Sequence, residues 1–371
     1  MDKPPLGVYG YVLRNRELGK NPNRGRAWMR GRIIRSIQEP QMLYNAEGCA
    51  YKRISVIKMH VDRYNKCLAF GNEKGSIGVA STEGKDVPSF PFRHNKAVCD
   101  MSWGSDIRMF ATTSGDMTCK VWDLEHQMEL DSHAVESKDA RVDWSAGGRM
   151  AVTNNKGITI IDLRTGDSAQ RIETMKNTSV AKWNKQSGRI VHVGGLGLRT
   201  YDTRMLRSPV VVGKKRSPVG DIVQSKDGNL LFVCQPDSLQ VFNSASLERI
   251  SKTGFPITFP VGNIPHVSIR ACICEAGDAR IVAAPMYTGI SLVDCSKVEI
   301  GVNPCVIRTL KAHADIVSTC EYESDQQRLI SGSMEMIVWT PPKRKEYEEV
   351  EEKKTKENGR NNRLDEDDWS D

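Results

Sequence analysis

Histidine and cysteine, the side chains that most often carry chemistry, are scattered along this chain of 371 residues. There are 7 His and 10 Cys, and the cysteines form no Cys-x-x-Cys pair of the zinc-ribbon or thioredoxin kind. The sequence also lacks the Gly-x-x-x-x-Gly-Lys-Ser/Thr phosphate loop and the His-Glu-x-x-His metal motif. We therefore expect reduced, mostly buried thiols, no bound metal or cofactor, and no catalysis by the chain itself.

Two motifs of the form Asp-x-Arg occur among the charged residues, Asp162-Leu163-Arg164 and Asp202-Thr203-Arg204. Taken alone, each is compatible with a solvated turn that holds a local ion pair of little energetic value. The glycine-dense run Gly194–Gly197 is followed by no helical pattern, so it favours a tight turn between strands rather than a phosphate loop.

The net charge of +7 is unevenly distributed. Residues 1–36 carry 9 Lys and Arg against 2 acids, whereas residues 343–371 carry 8 against 11. The basic character therefore belongs to a short N-terminal arm, which indicates a docking segment more than a basic body. The sequence contains no run of 18 apolar residues, so it predicts no membrane-spanning helix. The start of the chain also lacks the apolar stretch of a secretory signal.

The strongest internal signal is a repeat. Segment 94–123 begins with a His, passes through three β-rich runs separated by polar turns, and ends in Trp-Asp; segment 313–339 has the same layout. Weaker copies place the ends of seven third strands near Val79, Trp122, Ile161, Tyr201, Phe242, Val293 and Trp339. The mean spacing of about 43 residues is that of WD repeats. The sequence thus predicts an all-β, seven-bladed WD-repeat β-propeller over residues 39–342, whose blades bury each other's faces.

In WD repeats the histidine at the start of a blade belongs to a buried hydrogen-bonded network with a turn Asp, a strand Ser or Thr, and the Trp. For the second blade the sequence assigns His94, Asp116 and Trp122 to this network. For the last blade it assigns His313 and Trp339, although the final turn is two residues shorter and a Glu stands near the expected Asp. Because buried polar groups must be paired, we expect a structural role for both sets.

The arm over residues 1–38 and the tail over residues 343–371 differ from the repeats. Tyr9–Leu18 has helical composition with Gly19 at the expected C-cap, and Arg24–Ile37 predicts a second helix. Gln41–Tyr44 is a candidate for the outer strand that completes the last blade. The tail is almost entirely charged or polar, which predicts disorder.

The arm segment Val12-Leu13-Arg14-Asn15-Arg16-Glu17-Leu18-Gly19 resembles the short helical box that opens the substrate receptors of cullin-4 ubiquitin ligases. In that family the helix docks between two propellers of the large adaptor subunit. The resemblance implies adaptor contacts at Val12, Leu13, Arg16, Leu18 and Gly19. A second family mark is a blade-ending Asp-x-Arg that touches the same adaptor. Asp202 and Arg204 fit it best, followed by Arg164 of the other motif; Tyr201 stands where the family usually has Trp.

Within this family the chain is most similar to the receptor type that acts in transcription-coupled nucleotide excision repair. The similarity covers blade two, the last blade (Ser318–Tyr322, Leu329–Ser333 and Ile337–Pro341) and the acidic close at Asp367–Asp371. The resemblance implies a nuclear, non-catalytic subunit. Its partners would be the propeller adaptor, the cullin-4 scaffold with its RING subunit, and a repair translocase at stalled RNA polymerase II.

Two other hypotheses stay open from the sequence. The chain could be a WD-repeat scaffold of another nuclear assembly, such as a splicing or chromatin complex. The arginines between Arg24 and Arg35 could also contact nucleic-acid phosphates. Direct binding of nucleic acid is disfavoured, because no interleaved aromatic residues suggest base stacking and a docking helix explains the mixture of Arg, Trp and Ile equally well.

Overall fold

A computed structural model describes most of the chain between residues 22 and 342. The described residues are 22–45, 52–61, 66–82, 88–104, 108–145, 147–154, 157–163, 170–173, 178–184, 186–187, 190–205, 208–212, 219–235, 238–251, 255–256, 270–287 and 289–342. The chain divides into two units, Met1–Thr340 and Pro341–Asp371, and every element below lies in the first. The predicted docking helix at Tyr9–Leu18 and the tail at 343–371 lie outside the described residues.

Seven four-stranded antiparallel sheets form the body of the first unit. Helix α1 (Pro22–Ser36) precedes them, and a short 3-10 helix spans Val298–Ile300. Blade one consists of β2 (Ile54–Val61), β3 (Lys66–Asn72), β4 (Ser76–Ser81) and β5 (Ser89–Arg93). Blade two consists of β6 (Val98–Trp103), β7 (Met109–Ser114), β8 (Thr118–Asp123) and β9 (Met128–Ala134). Blade three consists of β10 (Val142–Trp144), β11 (Arg149–Asn154), β12 (Gly157–Asp162) and β13 (Gln170–Glu173). The strands of blades four to seven are β14 (Val180–Trp183), β15 (Ile190–Gly195), β16 (Gly197–Asp202), β17 (Val211–Val212); β18 (Asp221–Gln224), β19 (Leu230–Gln235), β20 (Ser238–Asn243), β21 (Phe255–Pro256); β22 (Cys272–Ala276), β23 (Ala279–Met286), β24 (Gly289–Asp294), β25 (Cys305–Leu310); and β26 (Thr319–Glu323), β27 (Arg328–Gly332), β28 (Met336–Thr340), with β1 (Glu39–Tyr44).

The first strands of the seven blades surround a common axis, because each contacts the first strands of both neighbouring blades. They run in one direction: Val142 N and Trp144 N, on β10, bond to the side chains of Asp100 and Ser102, on β6. We call the face at which these inner strands begin the top face, and the face at which they end the bottom face. Since strands alternate in direction within a blade, third strands also end at the bottom face.

The ring is closed by β1, which pairs antiparallel with β28 so that Gln41 lies opposite Val338. The predicted outer strand at Gln41–Tyr44 is therefore present as β1, and the last blade draws its fourth strand from the N-terminal side of the chain. A closed ring of this kind leaves no blade face exposed to water, which is the reason that short, weak sheets can assemble.

All seven predicted strand ends fall on the third strands of the blades, from Val79 on β4 to Trp339 on β28. The seven-bladed all-β prediction is confirmed, and so is the turn at Gly194–Gly197, since Gly195 pairs with Gly197 across the hairpin. The predicted helix at Arg24–Ile37 is present as α1.

The apolar core consists of layers between adjacent blades, not of one central cluster. Seven buried clusters are found among the described residues, one for each interface between neighbouring blades. In the layer between blades one and two, the rings of Phe92 and Phe110 meet edge to face with centroids 5.2 Å apart. The Trp103 ring also contacts Phe110, with the same distance of 5.2 Å between centroids.

A polar network lies inside blade two. His94 Nε2 is 2.7 Å from Thr112 Oγ1, His94 Nδ1 is 3.1 Å from Asp116 Oδ2, and Trp122 Nε1 donates to Thr112 Oγ1 at 2.7 Å. The Asp116 carboxylate also accepts from the backbone N–H of Asn95, which ties the turn to the start of the blade. These groups satisfy one another out of contact with bulk water, as a structural network requires.

Blade seven holds the equivalent network with a glutamate in place of the aspartate. His313 Nδ1 is 2.8 Å from Glu335 Oε1, His313 Nε2 is 2.7 Å from Ser331 Oγ, and Trp339 Nε1 donates to Ser331 Oγ at 2.9 Å. The histidine-to-carboxylate spacing along the chain is the same as in blade two. The longer Glu side chain thus supplies the acceptor even though the following turn is shorter.

A third buried histidine, His192 on β15, was not singled out by the sequence. Its Nδ1 is 3.0 Å from Thr200 Oγ1, and its Nε2 is 3.0 Å from Ser244 Oγ of blade five. This ring therefore joins two blades. Burial lowers the pKa of His192 to about 4, because the cation would lose its hydration without gaining a carboxylate partner.

We expect Phe110→Ala to lower the free energy of unfolding by about 3–5 kcal/mol, because it opens a cavity in the layer between blades one and two. Urea unfolding measures this value. Met128→Ala is the matched control on the same blade, since Met128 is 51% exposed, and it should change stability by less than about 0.5 kcal/mol. Equal effects of the two substitutions would contradict the layered core.

Acid should destabilise the propeller through its buried histidines. In the unfolded chain His192 has its ordinary pKa of about 6.5, whereas in the folded chain its pKa is about 4. Between these two pH values the unfolded chain therefore binds a proton at His192 that the folded chain does not bind. Stability therefore falls with falling pH in this window, by about 2 kcal/mol between pH 7 and pH 5 from His192 alone. Burial also lowers the pKa of His94 and His313, which adds in the same direction.

The measurement is urea unfolding of the wild type and His192→Asn at both pH values. Between pH 7 and pH 5, the free energy of unfolding should fall less in His192→Asn than in the wild type, by the amount attributed to His192. His126→Asn is the control: hydrogen bonding to Asp123 raises the pKa of this exposed histidine, so its removal should not reduce the acid loss. Identical pH dependence of wild type and His192→Asn would refute the assignment.

Candidate interaction face

Helix α1 is fastened to the bottom face, over blades six and seven. Met29, Ile33 and Ile37 are buried against residues of both blades. Met29 also lies against Gly277, in the turn that joins the first two strands of blade six. The helix thus turns its apolar residues to the ring, and this packing fixes where the arm leaves it.

An ion pair between α1 and blade six accompanies this apolar packing. Arg30 Nη1 lies 2.9 Å from Asp294 Oδ2, and Asp294 is the last residue of the third strand of blade six. Arg32 stacks over the Trp28 ring at 5.7 Å from its centroid, whereas Arg35 is exposed. Two of the arginines proposed for phosphate contact therefore have partners within the chain, which weakens the nucleic-acid hypothesis for α1.

The Asp202-x-Arg204 motif forms a corner on the same face, at the end of the third strand of blade four. Arg204 Nη2 donates to Asp202 Oδ2 at 2.6 Å, and the backbone N–H of Arg204 donates to Asp202 Oδ1 at 2.9 Å. The Arg204 side chain is 65% exposed and Met205 beside it is 66% exposed. The Asp fixes an Arg that presents its remaining donors and an apolar neighbour to solvent. Alone, this pair contributes little to stability.

Two buried ion pairs cross the axis near the top ends of the inner strands. Arg270 Nε lies 3.0 Å from Asp100 Oδ1 and joins blades six and two. Arg141 Nη1 lies 2.9 Å from Asp221 Oδ1 and joins blades three and five. All four side chains are at most 7% exposed. Together they close the axial channel toward the top face.

The surrounding charges act on the pKa values of Asp100 and Arg141. Burial alone would raise the pKa of Asp100, but the charges of Arg270, Lys182 and Arg141 lower it to about 2. Burial and the neighbouring Arg270 lower the pKa of Arg141 to about 10, which still leaves it charged at neutral pH. The closed end of the channel is thus a fixed set of alternating charges.

The channel is open toward the bottom face, where it forms a cavity of about 430 Å³. Two further ion pairs stand in its wall: Lys58 Nζ is 3.0 Å from Glu321 Oε2, and Lys182 Nζ is 3.0 Å from Asp143 Oδ1. Burial lowers the pKa of Lys58, but Glu321 and Asp100 outweigh it, so that pKa lies above its ordinary value. The other lining side chains are Trp144, Ser145, Trp183, Asn184, Asp221, Ile222, Val223, Gln224, Lys226, Arg270, Ala271, Cys272, Ile273 and Tyr322.

The bottom face therefore carries α1, the Asp202–Arg204 corner and the open channel mouth. The other adaptor-contacting residues expected from the sequence lie outside the described residues: Val12, Leu13, Arg16, Leu18, Gly19 and Arg164. The cross-axis pairs and the channel mouth were missed, because partners 80 and 170 positions apart leave no periodic pattern in a sequence.

Thiols and metals add no site to this face. Nine cysteines of the described segments are free thiols, and Cys272 and Cys274 are both buried on β22. Across the same segments, no group of three or more His, Cys, Asp or Glu side chains could hold a metal ion. None of the helices described is long and apolar enough to span a bilayer.

Comparison with known proteins identifies repeats and partial relatives. The family described as WD domain, G-beta repeat matches residues 86–123 and 304–339, which include the first three strands of blade two and of blade seven. A Denticleless protein homolog of Xenopus tropicalis is 33% identical over 116 residues, or 28% of this chain and 15% of that protein. Eukaryotic translation initiation factor 3 subunit I of Drosophila mojavensis is 27% identical over 167 residues, or 40% of this chain and 51% of that protein.

The similarity to solved structures concerns the fold. A chain in the crystal structure of the mitotic checkpoint complex superposes with a TM-score of 0.64 at 13% identity, covering 82% of this chain and 92% of that one. The chain spans 15% of the Denticleless relative and about half of the initiation-factor relative, so it shares one region with each. Together with the seven sheets and the closed ring, these matches make the chain a seven-bladed β-propeller that contains WD40 repeats.

Proposed function

We propose that this protein is a substrate receptor of a cullin-4 RING ubiquitin ligase. The observation that carries the proposal is the placement of the arm: α1 is held on the bottom face by Met29, Ile33 and the Arg30–Asp294 pair. In the sequence the Val12–Gly19 box comes directly before α1, and the Asp202–Arg204 corner lies on the same face. A receptor that docks through both features needs them on one side of the ring.

The docking chemistry follows the rules for a helix in an apolar groove. Leu13 and Leu18 would supply the buried contacts, with Val12 beside them and Gly19 ending the helix. Arg16 would pair at the rim of the groove or with backbone carbonyls. Arg204, preset by Asp202, would supply a second polar contact at a distance from the helix, and Arg164 a third.

The receptor would act by positioning and not by catalysis. The adaptor, the cullin-4 scaffold and its RING subunit would hold the propeller by its bottom face, leaving the top face toward the target protein. Holding the target beside the charged ubiquitin carrier makes the transfer nearly unimolecular. The rigid, closed ring suits this task because it transmits a fixed geometry from one face to the other.

Within the ligase receptors, we propose that the chain is of the type of the Cockayne syndrome group A protein, to which the arm, the second and last blades and the acidic close are similar. It would then act in the nucleus in transcription-coupled nucleotide excision repair, with a repair translocase at stalled RNA polymerase II. The similarity to the Denticleless protein homologues supports the broader role of a WD-repeat substrate receptor.

The alternative is a WD-repeat scaffold of another nuclear complex, for splicing or chromatin. The similarity to an initiation-factor subunit over 40% of the chain, longer than the match to Denticleless, favours membership of an assembly other than the ligase. In that case the arm would be an ordinary interaction peptide, and the native complexes of the chain would contain no cullin.

The decisive measurement is recovery of the adaptor and cullin-4 by tagged full-length protein. We expect Leu13→Asp/Arg16→Glu to reduce recovery by at least about tenfold, because a buried carboxylate replaces an apolar anchor. Arg204→Glu should reduce recovery by about fivefold, as loss of a polar contact to a partner predicts. Lys74→Glu, an exposed substitution at a turn of the top face, is the matched control and should bind like the wild type.

Equal recovery from all four proteins would reject adaptor docking through the arm. Native complexes that lack every cullin subunit would select the scaffold alternative. Urea unfolding of each variant separates loss of docking from loss of fold.

A further inference from the structure

The channel mouth on the bottom face has hydrogen-bond acceptors that are already engaged. Asp143 accepts from Lys182 through one oxygen and from the backbone N–H of Trp183 through the other. Asp221 likewise accepts from Arg141 and from the backbone N–H of Ala271. In these two aspartates each carboxylate oxygen therefore has a protein donor.

The donors of the same mouth are only partly used. Lys58 and Lys182 each donate to one carboxylate in the described structure, although an ammonium group has three protons. Lys226 is exposed and forms no ion pair with any residue that the structure describes. Within that same part of the chain, Trp144 Nε1 and the Tyr322 hydroxyl are buried atoms with no hydrogen-bond partner. The mouth thus has open donors, whereas Asp143 and Asp221 offer no carboxylate oxygen without a protein donor.

The repeat itself shows that Trp144 is an exception. Trp103, Trp144 and Trp183 occupy the last position of the inner strand in three consecutive blades. Trp103 Nε1 donates to the carbonyl of Lys58 at 3.2 Å, and Trp183 Nε1 donates to the carbonyl of Asp143 at 2.9 Å. Trp144 Nε1 makes no such bond in the described structure. A buried donor without a partner is destabilising, so binding of a ligand that accepts from it would be favoured.

Tyr322 presents the same situation on the other side of the mouth. Burial raises the pKa of its hydroxyl, so the group stays protonated and remains a donor at neutral pH. Arg32 of α1 is close enough to act on this pKa in the opposite direction, which places a further positive charge near Tyr322. The five residues with open donors come from blades one, three, four, five and seven, and all of them line the same cavity.

We propose that the bottom mouth of the axial channel binds an acidic peptide segment of a partner protein. Acceptor groups with negative charge complement the open donors of Lys58, Lys182, Lys226, Trp144 and Tyr322. Because these donors surround the mouth, several separate carboxylates meet them better than one compact anion. Apolar side chains between the donors also suit a peptide.

The closed end of the channel sets the mode of binding. The Arg270–Asp100 and Arg141–Asp221 pairs form a floor, so a segment can enter from the bottom face but cannot thread through the ring. A volume of about 430 Å³ is within the range of sites that hold small ligands or a few side chains. This inference goes beyond adaptor docking, since it does not involve the Val12–Gly19 box or the Asp202–Arg204 corner.

The test measures binding of a fluorescein-labelled hexaglutamate peptide to the full-length protein by fluorescence anisotropy, with hexaglutamine as the neutral control. We expect hexaglutamate to bind and hexaglutamine to bind at least about tenfold more weakly, with affinity that falls as salt rises. Tyr322→Phe removes only a hydroxyl without a partner, and Lys226→Gln only an exposed charge. Each should raise the dissociation constant by about fivefold, and both together by about twentyfold.

The matched controls lie at turns of the top face: Tyr287→Phe, where Tyr287 is 49% exposed, and Lys74→Gln. Both should bind hexaglutamate like the wild type. The proposal is overturned if Tyr322→Phe and Lys226→Gln bind normally, or if hexaglutamate and hexaglutamine bind alike. It is also overturned if tripolyphosphate binds in a Tyr322-dependent manner while hexaglutamate does not, since the site would then serve a compact polyanion. Adaptor recovery by Tyr322→Phe should stay at the wild-type level, so a failure here is distinguishable from a failure of the ligase assignment.

Discussion

The pairing of β1 with β28 is the contact on which the rest of the structure depends. All other strand pairs of the propeller join neighbours along the chain, whereas this one brings Glu39–Tyr44 to Met336–Thr340. It closes the ring, so the layer between blades seven and one can form, with Ile330 and Val338 packed near Ile54 and Leu68. It also fixes the residues just before β1, because α1 ends only a few positions earlier in the chain. One strand pair thus sets both the stability of the ring and the placement of the arm.

The charged pairs on the axis have a different purpose from the apolar layers. Transfer of charges into a protein interior is costly, and a buried pair often contributes no net stability over an apolar replacement. The Arg270–Asp100 and Arg141–Asp221 pairs nevertheless satisfy every charge they bury, and their carboxylates also accept backbone N–H groups of neighbouring blades. Their physical effect is to fix blades that share no strand contact and to close one end of the channel. The consequence is a cavity with one opening, on the face that carries α1.

The repeat explains how much of the molecule could be predicted from the sequence. A blade buries its faces only against other blades, so each copy keeps the same apolar pattern, and the ends at Val79 and Trp339 could be read at regular spacing. The His–carboxylate spacing could be read for the same reason, and the structure shows that Glu335, noted near the expected Asp, bonds to His313. Contacts across the axis follow no such rule. Arg141 meets Asp221, and Arg270 meets Asp100, because the blades surround a common axis, and nothing local in the sequence records that arrangement.

Departures from the repeat therefore carry the functional information. Where consecutive blades place the same side chain at the same position, the structure defines what the fold alone requires. Trp103 and Trp183 show that an inner-strand tryptophan can satisfy its N–H on the preceding blade. Trp144 also ends the inner strand of its blade, yet its N–H has no acceptor among the described residues. The fold has no need of that unpaired donor, and neither the apolar layers nor the ring closure accounts for it. The same reasoning applies to Asp202 and Arg204: a turn needs only the aspartate to accept local N–H groups, whereas the exposed guanidinium it orients is directed to solvent and to whatever partner docks there.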